Sequence, residues 1–163
     1  MKAMVIYDSV FGNTEKIAKI IGKALGPPEE VKVMRITDVN PNQLTGLEIL
    51  IVGSPTRQFK ATPAINSFLT KIPSGALNGV NVAAFDTRMS IIDVNSRILT
   101  FFVKIFGYAA EPIAAKLLKK QGRQIVPPEG FIVIDSKGPL KEGEIERAVS
   151  WVNQIKKVSE NSL

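Results

Sequence analysis

Met4-Val5-Ile6-Tyr7-Asp8-Ser9-Val10-Phe11-Gly12-Asn13-Thr14-Glu15-Lys16-Ile17-Ala18-Lys19-Ile20-Ile21 reads as a buried strand, a turn of small and polar residues, and the first turns of an amphipathic helix. Apolar residues run unbroken to Tyr7, and Ile17, Ile20 and Ile21 then recur at helical spacing, so the period changes across the turn. Ser9 and Thr14 supply hydroxyls, Gly12 lets the backbone pass close to a ligand, and Asn13 is placed to cap the helix. A helix start carries unpaired N–H groups and the positive end of its dipole, which suits a phosphate group. The same residues also serve an ordinary capped turn, so by itself the stretch leaves both readings open.

Outward from this turn the chain keeps alternating. Strands are predicted at Lys2 to Tyr7, Val31 to Ile36, Ile49 to Val52, Val80 to Phe85 and Gly130 to Asp135, and helices at Asn13 to Leu25, Pro63 to Leu69, Ala109 to Gln121 and Glu142 to Lys157. Gly26-Pro27-Pro28 stops the first helix, and Ile49-Leu50-Ile51-Val52 is apolar without alternation, as a central parallel strand covered on both faces would be. Inward faces are assigned to Ile113, Ala114, Leu117 and Leu118 in the third of these helices, and to Ile145, Ala148, Val149, Val152 and Ile155 in the last. Polar loops follow the third and fourth strands: Ser54-Pro55-Thr56-Arg57-Gln58-Phe59-Lys60 and Asp86-Thr87-Arg88-Met89-Ser90.

The first loop resembles the phosphate loop of flavodoxins: a hydroxyl residue, two variable positions, a small residue, a variable one and Thr, after a strand ending in an aromatic. Tyr7, Ser9, Gly12, Thr14 and Ala18 fall in place. Val10 departs from it, standing where the family usually has Thr or another small polar residue, so backbone N–H groups must do more. Ser54-Pro55-Thr56 resembles the corresponding loop of flavodoxin domains in larger flavoproteins, and Gly107-Tyr108-Ala109-Ala110 resembles the family's small-residue turn beside the flavin pyrimidine. The resemblance covers nearly the whole chain. It implies an α/β fold, a three-layer doubly wound flavodoxin-like sandwich with a five-stranded parallel sheet in the order 2-1-3-4-5. It also implies FMN, with Ser9, Val10, Phe11, Gly12, Asn13, Thr14, Ser54, Pro55, Thr56, Arg57, Gln58, Phe59, Asp86, Thr87, Arg88 and Tyr108 as its cofactor-binding residues. In that topology the three polar loops meet at one rim, beyond the carboxyl ends of strands 1, 3 and 4. Phe59 serves equally as a stacking or a packing aromatic.

With 163 residues and 45% hydrophobic content the chain is expected to form a single flavodoxin-like domain, 1-163, with a sizeable core. It has no Cys and no His, which removes thiol nucleophiles, imidazole bases and the usual zinc and iron–sulfur ligand sets, and no metal site or catalytic side chain is assigned. The net charge of +6 is spread along the sequence, and its local cluster, Lys116, Lys119, Lys120 and Arg123, reads as cations in the last turns of a helix, so no nucleic-acid binding is expected. Strand 3 ends in Val52-Gly53-Ser54 without the carboxylate of a phospho-receiver, and the Gly-x-Gly-x-x-Gly turn of dinucleotide binders is absent.

Ile91 to Tyr108 is longer than a minimal flavodoxin needs. Within it, Ile98 to Phe106 is apolar almost all round, too short to span a membrane, and reads either as a cover over the sheet edge or as a homodimer or redox-partner surface. A cytoplasmic protein is expected, since a strand begins where a targeting segment would lie. The resulting reading is an FMN-binding electron-transfer flavoprotein serving redox partner proteins or a small-molecule electron donor or acceptor. The alternatives are an FMN-dependent oxidoreductase acting on a quinone or porphyrinogen, and an interaction module that keeps the fold without flavin. Arg57, Lys60 and Arg88 against a single Asp86 predict a raised potential for the fully reduced flavin, unless Arg88 pairs with Asp86 or Asp93.

Overall fold

A computed structural model describes residues 1–89 and 97–161, in which strands and helices alternate along the chain. The elements are β1 (Ala3–Tyr7), α1 (Asn13–Leu25), β2 (Val31–Arg35), β3 (Ile49–Pro55), α2 (Pro63–Lys71), β4 (Asn81–Met89), α3 (Arg97–Phe106), α4 (Ala110–Lys119), β5 (Arg123–Gln124), β6 (Glu129–Val133) and α5 (Glu144–Glu160). All ladders between them are parallel, in the order β2-β1-β3-β4-β5, with β6 also beside β4. The predicted order holds. The sheet has six strands rather than five, because the fifth position is shared: β5 pairs with Asn81 and Val82, and β6 with Phe85 to Met89. Pro127 and Pro128 lie between the two, and a residue without an N–H cannot carry the ladder across.

The sheet is covered on both faces, as its continuous apolar strands require. Leu50, Val52 and Val82 meet Ile65 and Leu69 of α2 and Ile113 and Leu117 of α4 on one side. On the other, Val5, Ile51 and Phe85 meet Ile17 and Ile21 of α1 and Val152 and Ile155 of α5. Trp151 joins this second layer edge-on to Phe85 and Phe131, with ring centroids 6.3 and 6.2 Å away. The inward face of α5 is therefore rotated from the predicted one: Trp151 is buried, whereas Ile145 and Val149 are exposed. In α4 Leu118 is likewise exposed.

Two further boundaries differ from the sequence reading. Asp86 to Met89, expected in a loop, extends β4, because Ser54 and Pro55 flank it on one side and Gly130 to Val133 on the other. Ser90 and Ile91 to Ser96, Asp93 among them, lie outside the described residues. Arg123 belongs to β5 and not to the end of a helix, since α4 stops at Lys119 and Gln121 takes a left-handed φ of 70°. Among the described residues no helix is long and apolar enough to cross a membrane.

Gly53 sets how closely β3 and the second layer approach. It faces Tyr7 on one side and Phe85 on the other, and a Cβ there would lie 2.1 Å from the Phe85 ring. Gly53→Ala is expected to lose about 1–3 kcal/mol through overpacking, read as a lower urea midpoint at unchanged m-value. Undiminished stability would mean that the ring moves aside freely.

Candidate functional site

The carboxyl ends of β1, β3, β4 and β6 enclose a cleft of about 280 Å³. Its first wall is the turn between β1 and α1, braced by its own polar groups. Asp8 Oδ1 accepts the Ser9 N–H at 2.8 Å, Ser9 Oγ accepts the Gly12 N–H at 3.1 Å, and Arg35 Nη2 donates to the Ser9 carbonyl at 2.6 Å. Gly12, with φ of 90°, occupies the N-cap, which corrects the expectation that Asn13 caps the helix. A Cβ at Gly12 would meet nothing within 4 Å, so the left-handed backbone, rather than crowding within the protein, is what favours glycine. Asn13 instead donates from Nδ2 to the Lys137 carbonyl at 2.9 Å and ties the loop after β6 to this turn. The first intrahelical bond runs from the Lys16 N–H to the Gly12 carbonyl at 3.0 Å, which leaves the amides of Asn13, Thr14 and Glu15 ahead of it. Those amides and the helix dipole make this wall attractive to an anion.

The second wall begins at Ser54. Its hydroxyl accepts the Thr62 N–H at 3.0 Å and donates to the Pro55 carbonyl at 3.0 Å, closing the loop on itself. Arg57 and Lys60 exchange both backbone hydrogen bonds at 2.9 Å, and Gln58 and Phe59 between them have φ of 47° and 65°. This is a two-residue turn of the primed type built without glycine, a strained arrangement costing about 1–3 kcal/mol per residue. The Arg57 guanidinium lies 5.7 Å from the centroid of the exposed Phe11 ring, so the first two walls touch at the mouth. Thr56 Oγ1 accepts the Ala109 N–H at 2.9 Å and fixes the turn before α4 to the same loop.

The end of β4 forms the floor, and its residues alternate. Thr87 turns toward α1, where its hydroxyl meets Thr14 Oγ1 at 2.7 Å in a buried pair. Asp86 and Arg88 turn to the opposite face. Arg88 donates from Nε and Nη2 to the two Asp86 oxygens at 2.5 and 2.8 Å, the Ala110 N–H adds a third bond at 2.8 Å, and the guanidinium lies 3.8 Å from the Tyr108 ring centroid. Burial pushes the Asp86 carboxyl above its ordinary pKa, with the Arg88 guanidinium and the Ala110 N–H pulling it back. Arg88 is thus an internal counterion, the case in which its charge is largely neutralised at the cleft.

Of the residues singled out from sequence, Val10, Phe11, Asn13, Thr14, Pro55, Thr56, Arg57, Gln58, Thr87 and Arg88 line the one cleft. Ser9, Gly12, Ser54, Phe59, Asp86 and Tyr108 do not; Ser9, Ser54 and Asp86 are buried and hold the walls. Met89, which the sequence offers in the loop after the fourth strand, also lines the cleft, and Val133 and Ser136, which the sequence does not single out, complete it. Ser136 has no such signal, because it reaches the cleft through the pairing of β6 with the far half of β4.

The flavodoxin domain profile matches residues 4–124, three of the four strands around the cleft included. The chain belongs to the flavodoxin family. An uncharacterized protein of Methanocaldococcus jannaschii is 26% identical, over 76% of this chain and 36% of its own length. Rubredoxin oxygen:oxidoreductase of Desulfovibrio gigas superposes with a TM-score of 0.74 at 18% identity, covering 98% of this chain and 36% of its own. Oxidised flavodoxin 1 of Bacillus cereus superposes with a TM-score of 0.75, also at 18% identity, over 96% of this chain and 98% of its own. The chain therefore spans about 36% of the length of the first two proteins and nearly all of the third. At these identities the structural likeness speaks for the fold, β6 and α5 beyond the profile match included.

Proposed function

We propose that this chain, acting as one flavodoxin-like domain, binds FMN non-covalently and passes electrons between redox partners. The observation that carries the reading is the convergence, in one cleft at the switch point of the sheet, of an anion-attracting helix start, two buried threonine hydroxyls and a mouth of Phe11, Arg57 and Gln58. The residues suit the group. The amides of Asn13 to Glu15 and the hydroxyls of Thr14 and Thr87 would hold the phosphate, and Pro55 to Gln58 with Met89 would border the ring. Bound FMN supplies one- and two-electron chemistry, and the protein supplies binding, orientation and exclusion of water. Val10 contributes no hydroxyl, which throws the phosphate onto the amides and Thr14.

Purified protein freed of ligand is expected to quench FMN fluorescence on titration and to acquire flavin absorbance bands. Thr14→Ala should weaken FMN about ten- to a hundred-fold, the worth of one charge-assisted hydrogen bond of about 1.5–3 kcal/mol. Absence of FMN binding by the wild type would sink the proposal in favour of an interaction module. Steady turnover of a quinone with a nicotinamide donor would instead make the protein an FMN-dependent oxidoreductase.

A further inference from the structure

The two edges of the sheet are finished differently. On β6 the Ile132 N–H donates to Glu144 Oε2 at 2.7 Å, and the Ile132 carbonyl accepts the Lys141 N–H at 2.8 Å. Arg147 Nη2 donates to the Gly130 carbonyl at 2.8 Å and the Ile134 N–H to the Pro139 carbonyl at 2.9 Å, so this edge is closed to another strand. β2 has no such cover. The Glu30 carbonyl accepts the Ala3 N–H at 2.9 Å, which sets the phase of the strand: Lys32 and Met34 turn their backbone groups to β1, and Val31, Val33 and Arg35 turn theirs outward. The Val31 N–H is taken by the Pro27 carbonyl at 2.9 Å. Among the described residues the Val31 carbonyl, both backbone groups of Val33 and the Arg35 N–H have no hydrogen-bond partner. Beside them runs a mostly apolar groove of about 460 Å³, lined by Gly22, Gly26, Pro27, Pro28, Val31 and Val33, with Lys23 at its side. Gly22 shapes it, since a Cβ there would strike the Val33 side chain and lift α1 from the strand.

We propose that the β2 edge pairs antiparallel with the same edge of a second copy of this chain, across a two-fold axis at Val33, and so forms a closed dimer. The open backbone groups complement one another. With Val33 opposite Val33 of the second copy, each N–H meets the other's carbonyl, and at either end the Arg35 N–H of one copy meets the Val31 carbonyl of the other. The Val31 N–H, already engaged, is not called on, and the Arg35 carbonyl at the end of the ladder stays with water. Charge selects the same arrangement. Glu29 and Glu30 precede the strand and Arg35 ends it, so an antiparallel mate sets the acidic start of one copy beside the basic end of the other. Lys32 then stands across from Met34, whereas a parallel mate would set like charge against like. The Val31 and Val33 side chains of each copy, on the α1 face of the sheet, border the groove of the other and cover it. With β6 closed, the pairing uses up the open edge and stops at two copies. This interface is separate from α3, and it holds whether or not the cleft carries FMN.

Sedimentation equilibrium of the full-length protein from about 5 to about 500 μM is expected to show monomer and dimer in exchange, with a Kd of about 1–100 μM, as suits a small interface built on a five-residue strand. Val33→Pro removes the central donor of the ladder, and because that N–H takes no part in the pairing with β1, a proline is tolerated there. The variant should raise the Kd at least about tenfold with its far-UV circular dichroism unchanged. Amide exchange in the wild type gives a reading that needs no variant. The Val33 and Arg35 amides should exchange at least about threefold more slowly at about 500 μM than at about 5 μM, while those of Lys32 and Met34, bonded to β1, should not respond to concentration. A wild type that remains monomeric up to about 500 μM, or a Val33 amide indifferent to concentration, overturns the proposal. Growth beyond the dimer with rising concentration overturns its closure. A dimer that survives in folded Val33→Pro and is lost in Phe101→Glu belongs to the exposed side of α3 and overturns the proposal as well. Should Val33→Pro fail to fold, the exchange comparison decides alone.

Discussion

Arg88→Ala is expected to cost about 3–5 kcal/mol of stability at neutral pH, the loss typical of a buried ion pair robbed of one partner. The Asp86 side chain is fully buried, and without the guanidinium its carboxylate keeps, among the described residues, only the Ala110 N–H. The loss should depend on pH with a defined sign. Burial already raises the folded-state pKa of Asp86 above its unfolded value, and removing Arg88, which holds it down, raises it further. Below the unfolded value, about 4, both states carry the proton and a neutral carboxyl needs no counterion, so the variant should approach the wild type. As pH climbs between the unfolded and the raised folded value, the unfolded chain releases its proton first and the variant loses stability relative to the wild type. Urea midpoints at several pH values read this directly. Adding Asp86→Asn to Arg88→Ala should recover most of the loss at neutral pH, because an amide requires no countercharge. A loss that is flat with pH, or unrelieved by Asp86→Asn, would mean that Arg88 acts through its stacking on Tyr108 alone.

The same pair marks where sequence reading stops short. Apolar runs, helical periodicity and the Gly26-Pro27 stop are local signals, and α1 at Asn13–Leu25 was legible to both ends. The sheet order and the meeting of three loops at one rim follow from strand–helix alternation and its handedness. Asp86 to Met89 reads as a loop from the sequence because a polar run ordinarily means solvent. Here the polarity is consumed inside: Asp86 and Arg88 satisfy each other on one face of the strand, and Thr87 satisfies Thr14 on the other. Period-two alternation was present, but its partners are distant in sequence.

The rotation of α5 has a similar cause. A buried carboxylate, Glu144, accepts the Ile132 N–H at 2.7 Å and is held by Arg147, and this anchor brings Trp151 inward in place of Val149. An apolar-face count gives a charged first-turn residue no weight in the core. The division of the fifth sheet position between β5 and β6 escaped for a third reason, since Arg123–Gln124 is too short to show any periodicity and is defined only by pairing with Asn81 and Val82.

FMN should bind about a hundred- to ten-thousand-fold more tightly than riboflavin, which differs from it only by the phosphate. Two charge-assisted hydrogen bonds from the amides ahead of the Lys16 bond or from Thr14 contribute about 3–6 kcal/mol, and about 1.4 kcal/mol corresponds to each tenfold. The arrangement of those donors is set before any ligand arrives, by Ser9 on the Gly12 amide, by the left-handed Gly12 and by Asn13 on Lys137, so little ordering cost offsets the gain. Paired titrations of the two flavins separate phosphate recognition from ring recognition. Thr14→Ala should narrow the ratio by weakening FMN while leaving riboflavin nearly unchanged, although Thr87 then loses its hydroxyl partner. Met89→Ala, on the cleft wall away from the helix start, should weaken both flavins alike and keep the ratio. Raising the salt should narrow the ratio as well, since only the phosphate is charged. Equal affinity for the two flavins in the wild type would take the phosphate away from the turn between β1 and α1 and reduce that turn to a capped helix start.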